Sequence, residues 1–380
     1  MRSFLIMEIP RRIATLFLAL FSLSAAAQHG SSLAFQRAEH LRRGINLSMW
    51  YAQSSDYSPE RLENYTTTAD FELIHNVGFD HVRLSINPEP LIAETTAATL
   101  RPEALARLDH SVQQITSLGL VVILDIHPEE PWKRDADASA DGALKLLTFW
   151  RRFAQHFAST DPGLVYFEIL NEPSTDVYRW AGLQARLVAE IRAVAPQHTI
   201  IATGGSWGGL DDLLLTEPVR DDNVIYSFHD YEPFTFTHQG ASWMGPVQAL
   251  TTGVPYPSSP EIIDPLLAAL PDEAARIALK RYGEDRWNKR RIQEEIGLVA
   301  DWAQRKHVPI YCGEFGAYKT FTNPADRARW LRDMREVLEQ YKIGWDMWDY
   351  QANFGIVTKT ANTPTADPAI VDALGLHSPN

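Results

Sequence analysis

Eight short runs of β-branched and apolar residues recur along the chain with amphipathic stretches between them, and this alternation limits the fold more than any other feature. The runs are Arg43–Leu47, His81–Ile86, Leu120–Ile126, Val165–Leu170, Thr199–Thr203, Val224–Phe228, Val308–Gly313 and Gly344–Trp348. Helical patterns lie between them, among others at Pro102–Leu118, Ala143–Phe157, Asp176–Val194, Asp285–Lys306 and Pro324–Gln340. Strands apolar on both faces, each followed by a helix, belong to a parallel sheet covered by helices. Eight such units predict an α/β chain closed into a (β/α)8 TIM barrel. A doubly wound open sheet is the alternative, but it would usually carry a Gly-rich phosphate loop, which this sequence lacks.

A chain of 380 residues has room for two or three ordinary domains or for one large barrel. No Pro/Ser/Thr linker, low-complexity tract or tandem repeat divides it, which favours the single barrel. The longest interval runs from Glu232 to His307, between strands six and seven. It begins aromatic and Gly-rich, continues through Pro255, Pro257, Pro260 and Pro265, and ends in a charged helix. An enlarged loop region over one face of the barrel is expected there.

The first 27 residues have a different character. Arg11-Arg12 precede an apolar run, Ile13 to Leu23, and then Ser24-Ala25-Ala26-Ala27. A basic segment, a short apolar core and an A-x-A ending form a secretory signal peptide, and the core is too short to span a bilayer. The expectation is therefore a signal peptide over 1–27 and a secreted or periplasmic catalytic domain over 28–380, monomeric and off the membrane once cleaved. The net charge of −13 argues against nucleic-acid or anionic-membrane surfaces, which need clustered Lys and Arg. The single thiol, Cys312, rules out an internal disulfide and a Cys-based metal centre. His127, Glu129 and Glu130 are too closely strung, around Pro128, to make a metal site, and H-E-x-x-H does not occur. No cofactor and no metal are expected.

In a barrel of this type the active site is assembled where strands end and the following loops begin. Arg83 is read among the strand-end groups, after strand two, His127 follows strand three, and Asn171-Glu172-Pro173 end strand four. Strand six leads into His229-Asp230-Tyr231, strand seven into Gly313-Glu314-Phe315, and strand eight ends at Trp348. Polar and aromatic groups gather at one end of the strands, where chance would scatter them to both. Two of them, Glu172 and Glu314, are carboxylates beside apolar strands, where burying charge needs a reason. A helix cap or salt bridge would explain either alone. Together they meet the requirement of glycoside hydrolysis, a protonated acid for the leaving oxygen and an ionised carboxylate for the anomeric carbon.

These motifs resemble glycoside hydrolase family 5, the (β/α)8 cellulase family, from Arg43-Gly44-Ile45-Asn46-Leu47 to Asp372-Ala373-Leu374-Gly375-Leu376. Asn171-Glu172-Pro173 looks like its acid/base motif and Gly313-Glu314-Phe315-Gly316 like its nucleophile motif. The resemblance implies a retaining mechanism, with Glu314 as nucleophile and Glu172 as acid and then base. It implies that Arg83 and Tyr231 hold Glu314 ionised and aimed, and that Asn171 binds the sugar 2-hydroxyl. It further implies that His127 and His229 contact sugar hydroxyls or orient the carboxylates, and that Trp348 forms an apolar floor. The pKa of Glu172 should start high and fall once Glu314 is esterified. The two carboxyls should lie about 5–5.5 Å apart. Where many members carry a second His or an aromatic after the strand-three His, this chain has Pro128-Glu129-Glu130-Pro131-Trp132.

Of the tryptophans, Trp150, Trp180, Trp302 and Trp330 sit in helical patterns and are expected to pack against the barrel. Trp50, Trp132, Trp207 and Trp243 follow strand ends or occupy loops and are candidate sugar platforms, because C–H faces of sugars stack on such rings. Trp287 has no clear place. The substrate implied is a polysaccharide, β-1,4-glucan first, with β-mannan and β-1,3-glucan as alternatives. Two other classes compete. Gly204-Gly205-Ser206-Trp207-Gly208 satisfies G-x-S-x-G and would suit a serine hydrolase, although no His-Gly-Gly oxyanion stretch accompanies it. A non-catalytic carbohydrate-binding protein would use the same aromatics but would not need both Glu172 and Glu314.

Overall fold

The eight apolar runs are the eight strands of one parallel barrel: β1 (Arg43–Tyr51), β2 (His81–Ile86), β3 (Val121–Ile126), β4 (Val165–Glu168), β5 (Ile200–Thr203), β6 (Val224–His229), β7 (Ile310–Phe315) and β8 (Gly344–Met347). Neighbours in sequence are neighbours in space, and β8 closes on β1. The computed structural model describes residues 32–377. The signal peptide expected over 1–27 lies outside the described residues. No helix among the described residues is long and apolar enough to cross a membrane.

Helices between the strands start where capping residues stop the preceding loop. Ser139 caps Ala140–Phe157, Asp176 caps Val177–Val194, Asn288 caps Lys289–Lys306 and Asn323 caps Pro324–Gln340, each side chain accepting from a first-turn backbone N–H. Their apolar faces cover the barrel. Trp150, Trp180, Trp302 and Trp330 are buried there, as expected. Two of them also satisfy strand-end carbonyls: Trp150 Nε1 donates to Ile169 O and Trp180 Nε1 to Thr203 O, both at 2.8 Å. The other mouth of the barrel is plugged. The short helix Leu33–Ala38 lays Ala34 over a cluster of Val121, Ile123, Tyr166, Ile201, Ile225 and Tyr311.

The interval after β6 is an enlarged region, as expected, and adds the helices Phe234–Thr237, Pro246–Leu250, Pro260–Leu267 and Glu273–Glu284 before the barrel helix Lys289–Lys306. One element has no counterpart in the sequence reading. After β8 the chain forms an antiparallel hairpin, β9 (Val357–Thr360) and β10 (Thr363–Ala366). Its turn residues Ala361 and Asn362 both have positive φ, the backbone a two-residue hairpin requires. Lys359 ties it to the helix Thr68–Val77 through an ion pair to Asp70 at 2.8 Å.

Register decides which groups meet. Asp125 on β3 is level with Glu168 on β4, and a register shift after Phe228 sets His229 opposite Glu314.

Candidate active site

Arg83 does not follow β2 as the sequence suggested but lies inside it, fully buried, and organises the centre of the barrel. Its Nε and one terminal nitrogen bind both oxygens of Glu168 at 2.8 Å. That second nitrogen also reaches Asn171 Oδ1 at 3.0 Å and Asp125 at 3.1 Å. The other terminal nitrogen holds Asn46 Oδ1 at 2.9 Å and Glu314 Oε1 at 2.6 Å. All five guanidinium donors thus have acceptors nearby, a condition for burying this charge.

Glu314 is gripped from two sides, since Tyr231 donates its hydroxyl to the other oxygen at 2.8 Å. Glu172 stands across from it, just beyond β4, with a positive φ of 45°. Left-handed backbone at a non-glycine residue costs energy and concentrates at functional sites. Here it turns the carboxyl toward the cleft, where its side chain keeps 27% exposure. His229 bridges the pair, with Nδ1 3.0 Å from Glu172 and 3.5 Å from Glu314. One oxygen of each carboxyl and the His229 nitrogen lie within 4.8 Å of one another. Such a trio could bracket a cation, but Glu314 already carries the Arg83 guanidinium and the Tyr231 hydroxyl on its two oxygens.

His127 Nδ1 faces Asp125 at 2.9 Å and its Nε2 faces the Asn171 amide nitrogen at 3.1 Å. Burial holds His127 down at about 4, so the ring is neutral, donating to Asp125 and accepting from Asn171. The Trp348 indole stacks on it with centroids 5.8 Å apart. Burial raises Glu168, and it pushes Asp125 up to about 6 against the pull of Arg83.

The proton near Glu172 is not where the sequence suggested. Burial favours its neutral form, but the His229 hydrogen bond and charge outweigh it and hold the carboxyl down at about 2. His229 moves the other way: burial disfavours its charge, yet Glu314 and Glu172 raise it above the usual histidine range. The two groups titrate as a unit, and their opposite shifts favour the ion pair in which the imidazole carries the proton.

An open cleft of about 1330 Å³ runs outward from Glu172, His229 and Tyr231. Trp207 and Phe234 line it, together with Ile277, Trp287 and Leu298 from the long interval between β6 and β7. Trp207 offers a half-exposed ring, 51% accessible. Trp243, 55% exposed, lies outside the residues that line this cleft and packs edge-on against Tyr318, which contacts Phe354 and through it Tyr231.

Two expected platforms are corrected. Trp50 is 2% exposed, donates Nε1 to Leu62 O at 2.7 Å and packs on Tyr51 and Phe71. Because β1 continues to Tyr51, the residue taken to start a loop points into the core. Trp132 lies in a helix, Glu130–Ala138, is 6% exposed and has Lys145 over its ring. Neither can offer a face to a sugar. The serine-hydrolase alternative also fails. Ser206 Oγ faces the Thr175 carbonyl at 3.5 Å, which cannot act as a base, while His229 is engaged by Glu172. The residues the sequence reading missed are Asn46, Asp125 and Glu168. Their signal was present: a polar or charged residue inside a strand buried on both faces requires a partner there.

A closed (β/α)8 barrel with an acidic pair at the head of an open cleft defines a glycoside hydrolase. The chain belongs to the cellulase family, glycosyl hydrolase family 5, whose model matches residues 42–354. It is 27% identical over 318 residues to endoglucanase C of Acetivibrio thermocellus, covering 82% of this chain and 91% of that one. It is 26% identical over 348 residues to cellodextrinase A of Ruminococcus flavefaciens, covering 88% and 94%. Among solved structures, a hyperthermophilic endo-β-1,4-glucanase in complex with substrate superposes with a TM-score of 0.75 at 28% identity, over 90% of this chain and 99% of that one. Endoglucanase Cel5A of Thermotoga maritima gives 0.74 at 25% identity with the same coverage.

Proposed function

We propose that the chain is an endo-β-1,4-glucanase that retains anomeric configuration, with Glu314 as nucleophile and Glu172 as acid and base. The observation that carries this is the carboxyl pair, whose nearest oxygens lie within 4.8 Å, the short spacing of a double displacement. An inverting enzyme needs room for a water between its carboxyls, roughly 6.5–9.5 Å. Glu314 attacks the anomeric carbon while the proton shared by Glu172 and His229 passes through Glu172 to the leaving oxygen. Arg83 and Tyr231 hold the attacking carboxylate in line. Once Glu314 is an ester the shared proton has left with the leaving group, so His229 is neutral and Glu172 is an ionised base that takes a proton from the incoming water, whose hydroxyl displaces Glu314 as a carboxylate. Asn171, released from His127, meets the 2-hydroxyl, and Trp348 on His127 forms the floor beneath the sugar. Trp207 is the platform in the cleft that Glu172 also lines, and Trp243 is a second platform beside Tyr318.

The names of the relatives and structural neighbours support glucan as the substrate. A second substrate has support of its own, since T. maritima Cel5A, 25% identical, is known in complex with mannotriose. Residues 1–27 are proposed to be a signal peptide, 28–380 the catalytic domain, and the protein a secreted or periplasmic monomer. The test measures reducing ends released from carboxymethylcellulose, barley β-glucan, glucomannan, galactomannan and laminarin by the wild type and by Glu314→Ala. Loss of glucan hydrolysis in Glu314→Ala, with recovery as a glycosyl azide when azide is added, is the expected outcome. An unchanged Glu314→Ala rate refutes the mechanism, and activity confined to galactomannan refutes the substrate.

A further inference from the structure

Lys133 is a buried cation that the mechanism above does not use, packed on a tryptophan that lines the cleft together with Glu172. It sits on the Glu130–Ala138 helix with 5% of its side chain exposed. Its carboxylate partner is Glu130, one turn back at 3.0 Å and itself half exposed. Burying an ammonium costs several kcal/mol unless its charge is used, and an apolar residue of the same length would pack there at lower cost. The ammonium lies over the Trp207 ring, 4.8 Å from its centroid. Trp207 is in turn fixed to the acid's own loop. Ser206 and Trp207 both have positive φ, and their amides donate to Thr175 O and Pro173 O, each at 2.8 Å. One Trp207 face therefore rests on Lys133 while the residue lines the cleft next to Glu172.

We propose that Lys133 is a positioning residue for the reaction, holding Trp207 as the sugar platform on the acid's side of the cleft and keeping a positive charge beside Glu172. This rests on Glu172 being the acid. The charged and titratable groups facing Glu172 are His229 from β6, Glu314 from β7, His127 and Asp125 from β3, and Tyr231 and His238 from the loop after β6. Lys133 is the cation added to this set from the helix after β3, and it favours the ionised carboxyl. Its removal lets the Glu172–His229 pair hold its proton to higher pH. The basic limb of the rate profile, which reports the acid's proton, then moves upward.

The experiment records pH profiles and KM on cellohexaose for the full-length wild type, Lys133→Met, Lys133→Arg, Trp207→Leu and Glu172→Gln. Lys133→Met should raise KM about 5-fold, the size of a weakened ring contact, and shift the basic limb up by about half a pH unit. Lys133→Arg keeps charge and ring contact and should restore both. Trp207→Leu should reproduce the KM rise without the limb shift. A folded Lys133→Met with wild-type KM and limb, or Lys133→Arg behaving like Lys133→Met, overturns the proposal. If Lys133→Met does not fold, Lys133→Gln, which removes the charge and keeps a polar side chain, decides: a wild-type KM and limb overturn the proposal, and a raised KM with the limb moved up supports it. Glu172→Gln separates the two levels, because wild-type turnover in that variant refutes the acid assignment whatever Lys133 does.

Discussion

Glu168→Gln is the substitution that most directly tests how the site is held. Glu168 is buried on β4, takes no part in the bond-making steps, and binds Arg83 through two contacts of 2.8 Å. Removing one partner of a buried ion pair costs about 3–5 kcal/mol, because the remaining charge is left uncompensated. Here the loss is moderated. Glutamine keeps one acceptor oxygen, and Arg83 keeps Asp125 at 3.1 Å and Glu314 at 2.6 Å. It also turns an amide N–H₂ toward a guanidinium that has no acceptor to offer, so a cost of roughly 2–3 kcal/mol is expected. At about 2 °C per kcal/mol for a chain of this size, the thermal midpoint should fall by roughly 5 °C. The same perturbation releases Arg83 to shift on Glu314, and a misplaced nucleophile should lower kcat on cellohexaose ~10-fold or more with little change in KM. Differential scanning calorimetry and initial rates at 25 °C, well below the transition, measure both. A Glu168→Gln protein with wild-type midpoint and kcat would refute the view that Arg83 is aimed from beneath by this carboxylate.

Three further outcomes follow from particular contacts. His81, fully buried between Asp80 at 2.5 Å and Asp346 at 3.3 Å, is raised to about 10; burial opposes its charge, but Asp346 and Asp80 outweigh it. A raised histidine stabilises fully below its unfolded value of about 6.5 and loses that contribution as pH climbs to about 10. The urea midpoint of the wild type should therefore fall between pH 7 and 10, and His81→Gln should flatten that slope. Gly316→Ala should cut kcat, since a Cβ there would come within 2.2 Å of the Trp348 carbonyl oxygen and push the Trp348 floor away, which the intrinsic fluorescence spectrum should also register. Trp50→Leu should lower the thermal midpoint by the equivalent of ~3 kcal/mol while leaving KM for cellohexaose unchanged; a raised KM would reinstate Trp50 as a sugar platform.

Much of the site could be read from strand ends. Glu172, Glu314, His127, Asn171, His229, Tyr231 and Trp348 were all found because a polar or aromatic group closes an apolar run, and a barrel places those ends together. Asp125 and Glu168 were missed because they lie inside such runs, where a strand pattern registers them only as interruptions. Trp50 and Trp132 were misassigned for the opposite reason. Sequence places a residue near a loop, but the direction of its ring depends on how far the strand or helix continues, and β1 runs four residues past its expected end at Leu47.

The sequence by itself determined the barrel, because short runs apolar on both faces, alternating with amphipathic helices, have few other ways to bury their surfaces. It also determined the order in which the candidate catalytic groups arrive. Tertiary structure decided what those groups are to one another. Arg83 and Glu314 are 231 positions apart and meet at 2.6 Å only because the strands close into a ring. The proton shared by Glu172 and His229, the ammonium under Trp207 and the cleft wall built by the Glu273–Glu284 helix are likewise products of convergence. Local periodicity is encoded within a few residues of each position, whereas electrostatics and burial depend on every group the closed barrel brings within a few ångströms.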